Sequence, residues 1–259
     1  MCSIVIHRDP AAAWPVIFAG NRDEMGDRPW KAPARHWEDR PEVVAGLDVL
    51  AGGSWLGVND HGVLACILNR YGSLGPAADK RSRGELVLEA LDHADAAEAA
   101  SALSALETAA YRSFNLVVAD SRDAFWLKNS GAPGARIETT AIPEGLSMLT
   151  AHDLDDPASP RIARYLPRFR EAALPDPESG DWMAWQELLS SREADKGEPG
   201  SAMTVVYENG FQTVCSSMIA LPAPAPEPRA PVWRFAAGRP DRVAYEAVPL
   251  GDASQSFSS

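Results

Sequence analysis

Cys2 directly follows Met1. Cells usually remove an initiating methionine when the next residue is small, which would leave one residue carrying both a thiol and a free α-amine. That amine has a reference pKa of about 7.7 to 8.0, so it can take the thiol proton near neutral pH. Such a nucleophile needs no histidine beside it. Read for packing alone, the same residue is a small hydrophobe opening a strand.

The next group with chemical capacity is Gly20-Asn21-Arg22-Asp23-Glu24, polar residues crowded directly after the apolar run Val16 to Ala19. A cluster of this kind is either a solvated turn or a guanidinium and carboxylate set at the mouth of a site. Cys66, alternating within Val63 to Leu68, and Cys215 read as core thiols. The histidines His7, His36, His61, His93 and His152 show no paired spacing, so no metal is expected. Trp30, Trp37 and Trp55 lie near loops, where they either pack or stack on a flat ligand.

These residues need elements to position them. Cys2 to His7 and Trp14 to Ala19 alternate across a turn containing Asp9 and Pro10, which predicts an opening hairpin at an edge or end of a sheet. The proline-broken stretch Met25 to Glu42 reads as a long loop. Ser54 to Val58 and Gly62 to Leu68 flank Asn59-Asp60-His61 and predict a second hairpin. Ser82 and Glu85 have capping-box spacing ahead of Leu86, Val87, Ala90 and Leu91, and a second helix is expected from Asp95. Further strands are expected at Phe114 to Ala119, Ala124 to Leu127 and Leu146 to Thr150. Ser159-Pro160 opens an arginine-rich helix, and another helix begins near Asp181. Met203 to Tyr207 and Phe211 to Ala220 flank Asn209-Gly210, a hairpin signal. The string from Leu221 to Pro231 is an extended connector leading to a strand at Val232 to Phe235. The last six residues, from Ser254, should fray.

The chain has 259 residues, of which 46% are hydrophobic and 23% charged, enough to bury a core. Lys and Arg total 24 against 36 Asp and Glu, a net charge of −12. No basic surface is expected to collect nucleic acid or anionic lipid. The longest apolar stretch, Ala11 to Gly20, contains Pro15 and falls short of the roughly 20 residues that cross a bilayer. With His7, Arg8 and Asp9 breaking the N-terminal stretch, no signal peptide is expected and the cytoplasm is the expected location. The expected organisation is a single domain over 1–238 with a C-terminal tail over 239–259.

Several segments together resemble the NRDE-domain family, the group of the eukaryotic Transport and Golgi organisation 2 protein. They are the Met-Cys start, Asn-Arg-Asp-Glu at 21–24, Gly52-Gly53-Ser54-Trp55-Leu56-Gly57-Val58-Asn59, and Phe114-Asn115-Leu116-Val117-Val118-Ala119-Asp120. That family is similar to N-terminal nucleophile hydrolases of the bile-salt hydrolase and penicillin V acylase kind. The resemblance implies an α+β fold, a four-layer αββα sandwich with two antiparallel sheets. Asn59, Gly62, Leu68 and Asn69 fit the hydrolase hairpin, so Asn69 inherits an oxyanion-stabilising role. Arg22 would orient Cys2 or a substrate carboxylate, and either Asp23 or Glu24 would hold the α-ammonium, with Asp23 preferred. Glu24, Trp55, Asn115 and Met148 are the expected substrate-binding positions.

Two departures stand out. The family commonly reads Gly-Leu-Ser-Asn near mid-chain, where this chain has Gly145-Leu146-Ser147-Met148, and Met148 donates no hydrogen bond. A later segment rich in Arg, Ser and Thr is replaced by Gly200-Ser201-Ala202-Met203-Thr204, so no arginine is expected from that strand. The resemblance therefore supports two readings. One is an N-terminal cysteine hydrolase acting on a non-peptide amide of a small molecule, without a cofactor. The other is a non-catalytic protein that binds and carries haem, acyl-coenzyme A or lipid on the same fold.

Overall fold

A computed structural model describes residues 2–226 and 229–251; the serine-rich end from Ser254 lies outside the described residues. The chain divides into two compact units. One comprises residues 1–28, 143–223 and 232–247, and the other comprises 29–142, 224–231 and 248–259. Each holds one antiparallel sheet with helices on one face, the α+β architecture expected.

In the first unit the strands are β1 (Ser3–Arg8), β2 (Val16–Met25), β10 (Gly145–Leu149), β11 (Phe211–Leu221), β12 (Val232–Ala236) and β13 (Glu246–Ala247). Their order is β10-β1-β2-β11-β12-β13. The opening strand is therefore not an edge: β10 and β2 flank it on both sides. Helices α3 (Pro160–Glu171) and α4 (Met183–Ser190) cover one face. Val5, Ile17, Ala19, Met148, Met218 and Ala220 form that face's core with Ile162, Tyr165, Phe169 and Trp185. Ser159 caps α3 as expected, its hydroxyl accepting from the Ile162 amide. The stretch beyond residue 238, expected as tail, contributes β13 to the sheet, and the Tyr245 hydroxyl donates to Ser216 Oγ at 2.7 Å.

The second unit contains β3 (Trp30–Ala34), β4 (Val43–Asp48), β5 (Leu56–Asn59), β6 (Leu64–Asn69), β7 (Phe114–Ala119), β8 (Ala124–Asn129) and β9 (Glu138–Ala141), hydrogen-bonded in that order. Helices α1 (Gly84–Leu91) and α2 (Ala96–Ser104) pack on Ala65, Ile67, Leu116 and Val118. The N-cap of α2 is Asp95, which accepts from the Glu98 amide. The capping box expected at α1 does not form: the N-cap is Arg83, and Glu85 pairs with Arg81 instead. Part of the stretch read as a long loop is β3, paired with a strand, β4, that turn signals on both sides had obscured. Among the described residues no helix is long and apolar enough to cross a membrane.

Candidate functional site

The polar cluster at 21–24 is not a solvated turn. It continues β2, and Asn21, Arg22 and Asp23 are buried. The strand persists because β11 runs alongside its whole length, from Phe211 opposite Met25 to Leu221 opposite Val16. The pleat then sends alternate side chains to opposite faces of the sheet.

Asn21 and Asp23 point to the helix-covered side. Asn21 donates to the Leu189 and Met203 carbonyls at 2.9 and 3.0 Å. The Asp23 carboxylate takes one bond from Arg161 at 2.9 Å and another from the Thr213 hydroxyl at 2.7 Å. The Arg161–Asp23 pair is almost fully buried, with side-chain exposures of 4% and 0%. The charge-assisted bonds satisfy a carboxylate that would be costly to bury alone. Arg161 also donates to Ser3 Oγ at 3.2 Å and to the Gly200 carbonyl at 3.2 Å.

Arg22 takes the opposite face, where its partner on β11 is Cys215. Cys2 immediately precedes β1, and its thiol donates to the Asp23 carbonyl at 3.8 Å. Burial pushes the Cys2 thiol above the ordinary cysteine range, the positive N-terminal amine opposes the rise, the Asp23 charge adds to it, and Arg22 opposes it more weakly. Burial likewise raises Cys215, to about 12, with Arg22 opposing and Cys2 adding to the shift. One guanidinium thus influences two thiols. Cys2 keeps partial exposure, whereas Cys215 is buried.

The structure therefore brings together Cys2, Arg22 and Asp23. Glu24 is adjacent on β2, where it accepts from the Met25 amide and lies 3.9 Å from Arg28. It takes no part in the Arg161 pair; Asp23 does. Met148 is not a lining residue: opposite Val5 on β1, it is fully buried in the core beneath α3 and α4.

The remaining expected positions belong to the second unit. Asn69 ends β6 opposite Phe114, on the side of Ile67 and Phe114 that α1 and α2 cover. Asn115 is fully buried, and its side-chain oxygen accepts from Arg70 at 2.7 Å and Trp126 at 3.1 Å. It ties strand to strand. Trp55 is 9% exposed and meets Trp30 edge-on with centroids 5.9 Å apart. Its ring fills the space a Cβ at Gly46 would need, 2.3 Å away, which is packing.

Arg161, Thr213 and Cys215 emerge only in three dimensions. Sequence offered one signal: Ser159-Pro160 places Arg161 in a helix's first turn, where the dipole disfavours a cation.

A Caenorhabditis elegans N-acylethanolamine-hydrolyzing acid amidase ortholog superposes with a TM-score of 0.59 at 14% identity, covering 96% of this chain and all of that one. A variant of the Clostridium perfringens conjugated bile acid hydrolase gives 0.55 at 10% identity, covering 97% and 95%. The chain thus has the fold of the N-terminal nucleophile hydrolases.

The family model for Transport and Golgi organisation 2 matches residues 1–222, and the chain belongs to that family. The mouse homolog is 36% identical over 127 residues and the human homolog 38% over 129. Each alignment covers 46% of this chain and 45% of the relative, so the chain spans about half the length of the curated relatives it matches.

Proposed function

We propose that this protein is an N-terminal cysteine hydrolase that cleaves the C–N bond of a small-molecule amide. The observation that carries the reading is the placement of Cys2, at the head of an interior strand, on the Asp23 carbonyl and within the field of Arg22. The fold it shares with an acid amidase and a bile acid hydrolase supports it.

With Met1 removed, the α-amine of Cys2 takes the thiol proton as Sγ attacks the amide carbonyl. Arg22 favours the thiolate. The tetrahedral oxyanion collapses, the C–N bond breaks, and the proton on the α-ammonium passes to the departing amine. Water then attacks the acyl thioester, releasing a carboxylic acid and restoring the thiol. The buried Asp23 carboxylate, fixed by Arg161 and Thr213, holds β2 so that its carbonyl stays on the sulfur.

One observation favours the rival reading of binding without turnover, with haem or an acyl thioester as ligand. Met148, buried in the helix-covered core of the first unit, stands where the family commonly reads Asn, and its thioether donates no hydrogen bond to an oxyanion. Turnover decides between the readings. Purified protein is assayed on a panel of N-acylethanolamines and bile-acid conjugates, with Cys2→Ala as control. The expected result is amine release that Cys2→Ala abolishes. Turnover undiminished in Cys2→Ala contradicts the reading, and no turnover with saturable binding of haem or an acyl thioester favours the rival.

A further inference from the structure

The least expected cation in the first unit is Arg161. It occupies the first turn of α3, where the N-terminal dipole opposes positive charge, and it is 4% exposed, where desolvation opposes charge again. Both penalties are offset by what it holds. Nη1 donates to the Asp23 carboxylate at 2.9 Å and to Ser3 Oγ at 3.2 Å, and Nε donates to the Gly200 carbonyl at 3.2 Å. Ser3 and Asp23 are the residues next in sequence to Cys2 and Arg22, on β1 and β2. The pleat places Arg161 behind the sheet, directly under the two residues that would do chemistry in front of it.

We infer that Arg161 is the positioning residue of the Cys2 site: it clamps β1 and β2 together from the helix side and so fixes the sulfur on the Asp23 carbonyl beside Arg22. This deepens the hydrolase reading and rests on it for its catalytic meaning. The clamp itself concerns thiol placement and can be read without any substrate. Arg161 touches no reacting atom. It acts through Ser3 and Asp23.

The charges that bear on the test are few. Burial raises the Cys2 pKa most; the positive N-terminal amine lowers it, the Asp23 charge raises it, and the bond to the Asp23 carbonyl and the Arg22 charge lower it. Cys215, itself raised to about 12, faces Arg22 on β11. Tyr207 is influenced by Arg161, Asp23 and Glu198, and its phenol is raised above the ordinary tyrosine range, chiefly by burial. Removing the Arg161 charge leaves Asp23 uncompensated behind Cys2, so the thiol should become harder to ionise. Removing both charges should reverse that change.

The experiment measures iodoacetamide alkylation of Cys2 in the full-length chain against pH, resolved by peptide mass spectrometry from Cys66 and Cys215. In Arg161→Gln the reactive midpoint is expected to rise, with alkylation at neutral pH slowed about tenfold, the equivalent of one pH unit. In Arg161→Gln/Asp23→Asn two neutral amides can still hydrogen-bond between α3 and β2 without leaving a charge behind Cys2, so the midpoint should return to or below the wild-type value, and in Arg161→Lys it should fall between wild type and Arg161→Gln. A merely structural arginine would give no reversal in the double variant. A wild-type midpoint and rate in folded Arg161→Gln overturns the inference. If Arg161→Gln does not fold, Arg161→Lys and the double variant decide: wild-type values in Arg161→Lys, or a raised midpoint in the double variant, overturn it equally. Where amide turnover is measurable, kcat should fall with the alkylation rate while KM holds. Loss of turnover in wild type with the alkylation pattern intact would refute the hydrolase reading and leave the clamp standing.

Discussion

At the scale of single residues, a buried ion pair holds the candidate site together from behind. Asp23 and Arg161 stand 138 positions apart in sequence, so neither residue's neighbours announce the other. Removing one partner of such a pair leaves an uncompensated charge in a low-dielectric interior, whereas the intact pair gains little over a good apolar packing. Asp23→Ala is therefore expected to cost about 3–5 kcal/mol of folding stability, more than an exposed pair of similar geometry would. Arg168→Ala, which breaks the solvent-exposed contact to Glu193, is the comparison and should cost under about 1 kcal/mol. Urea unfolding of the two variants checks the difference. Comparable losses would mean that the Asp23 pair is not the buried anchor described.

At the scale of elements, the legible parts were those whose signal is local. The Asn59 hairpin, the helix start at Asp95, the Ser159 cap and the Asn209-Gly210 turn each depend on residues a few positions apart, and each was readable, although the strand expected at Met203 to Tyr207 reduces to a single bridge between Val206 and Gln212. The continuation of β2 through 21–25 was not. Its polar residues carry no strand periodicity of hydrophobicity, and the partners that bury them, on β11, α3 and α4, lie far away in sequence. The glycine block at 52–59 was noticed for its resemblance, yet its role is packing. A Cβ on Gly53 would sit 2.4 Å from the Gly84 backbone carbon, and one on Gly57 would sit 2.6 Å from Ala45 Cβ and 2.7 Å from Leu91 Cδ1. Asn59 then ties the hairpin to the end of α1, donating to the Leu91 and His93 carbonyls at 2.8 and 2.7 Å. Gly57→Val should accordingly lose about 1–3 kcal/mol by overpacking against α1, measured by thermal or urea unfolding. No loss would show that the sheet and α1 are not in this close register.

At the scale of the whole molecule, a resemblance carried by a few short segments pointed to a fold that the likeness to solved hydrolases shows over nearly the full chain. The net charge of −12 fits a small-molecule ligand better than a polyanion. The first sheet draws its strands from both ends of the chain and its middle, with the opening strand held between two others. A residue at the head of an interior strand is fixed in a way that a chain terminus ordinarily is not, which suits a nucleophile. In the proposed function this residue becomes the first of the mature chain and attacks through its sulfur. Intact-mass spectrometry of purified protein, before and during acid-quenched reaction with a hydrolysed amide, tests it most directly. The expected result is a chain lighter by one methionine, followed by a transient acyl adduct that maps to Cys2. A fully active chain that retains Met1, or an adduct on any other residue, would contradict it.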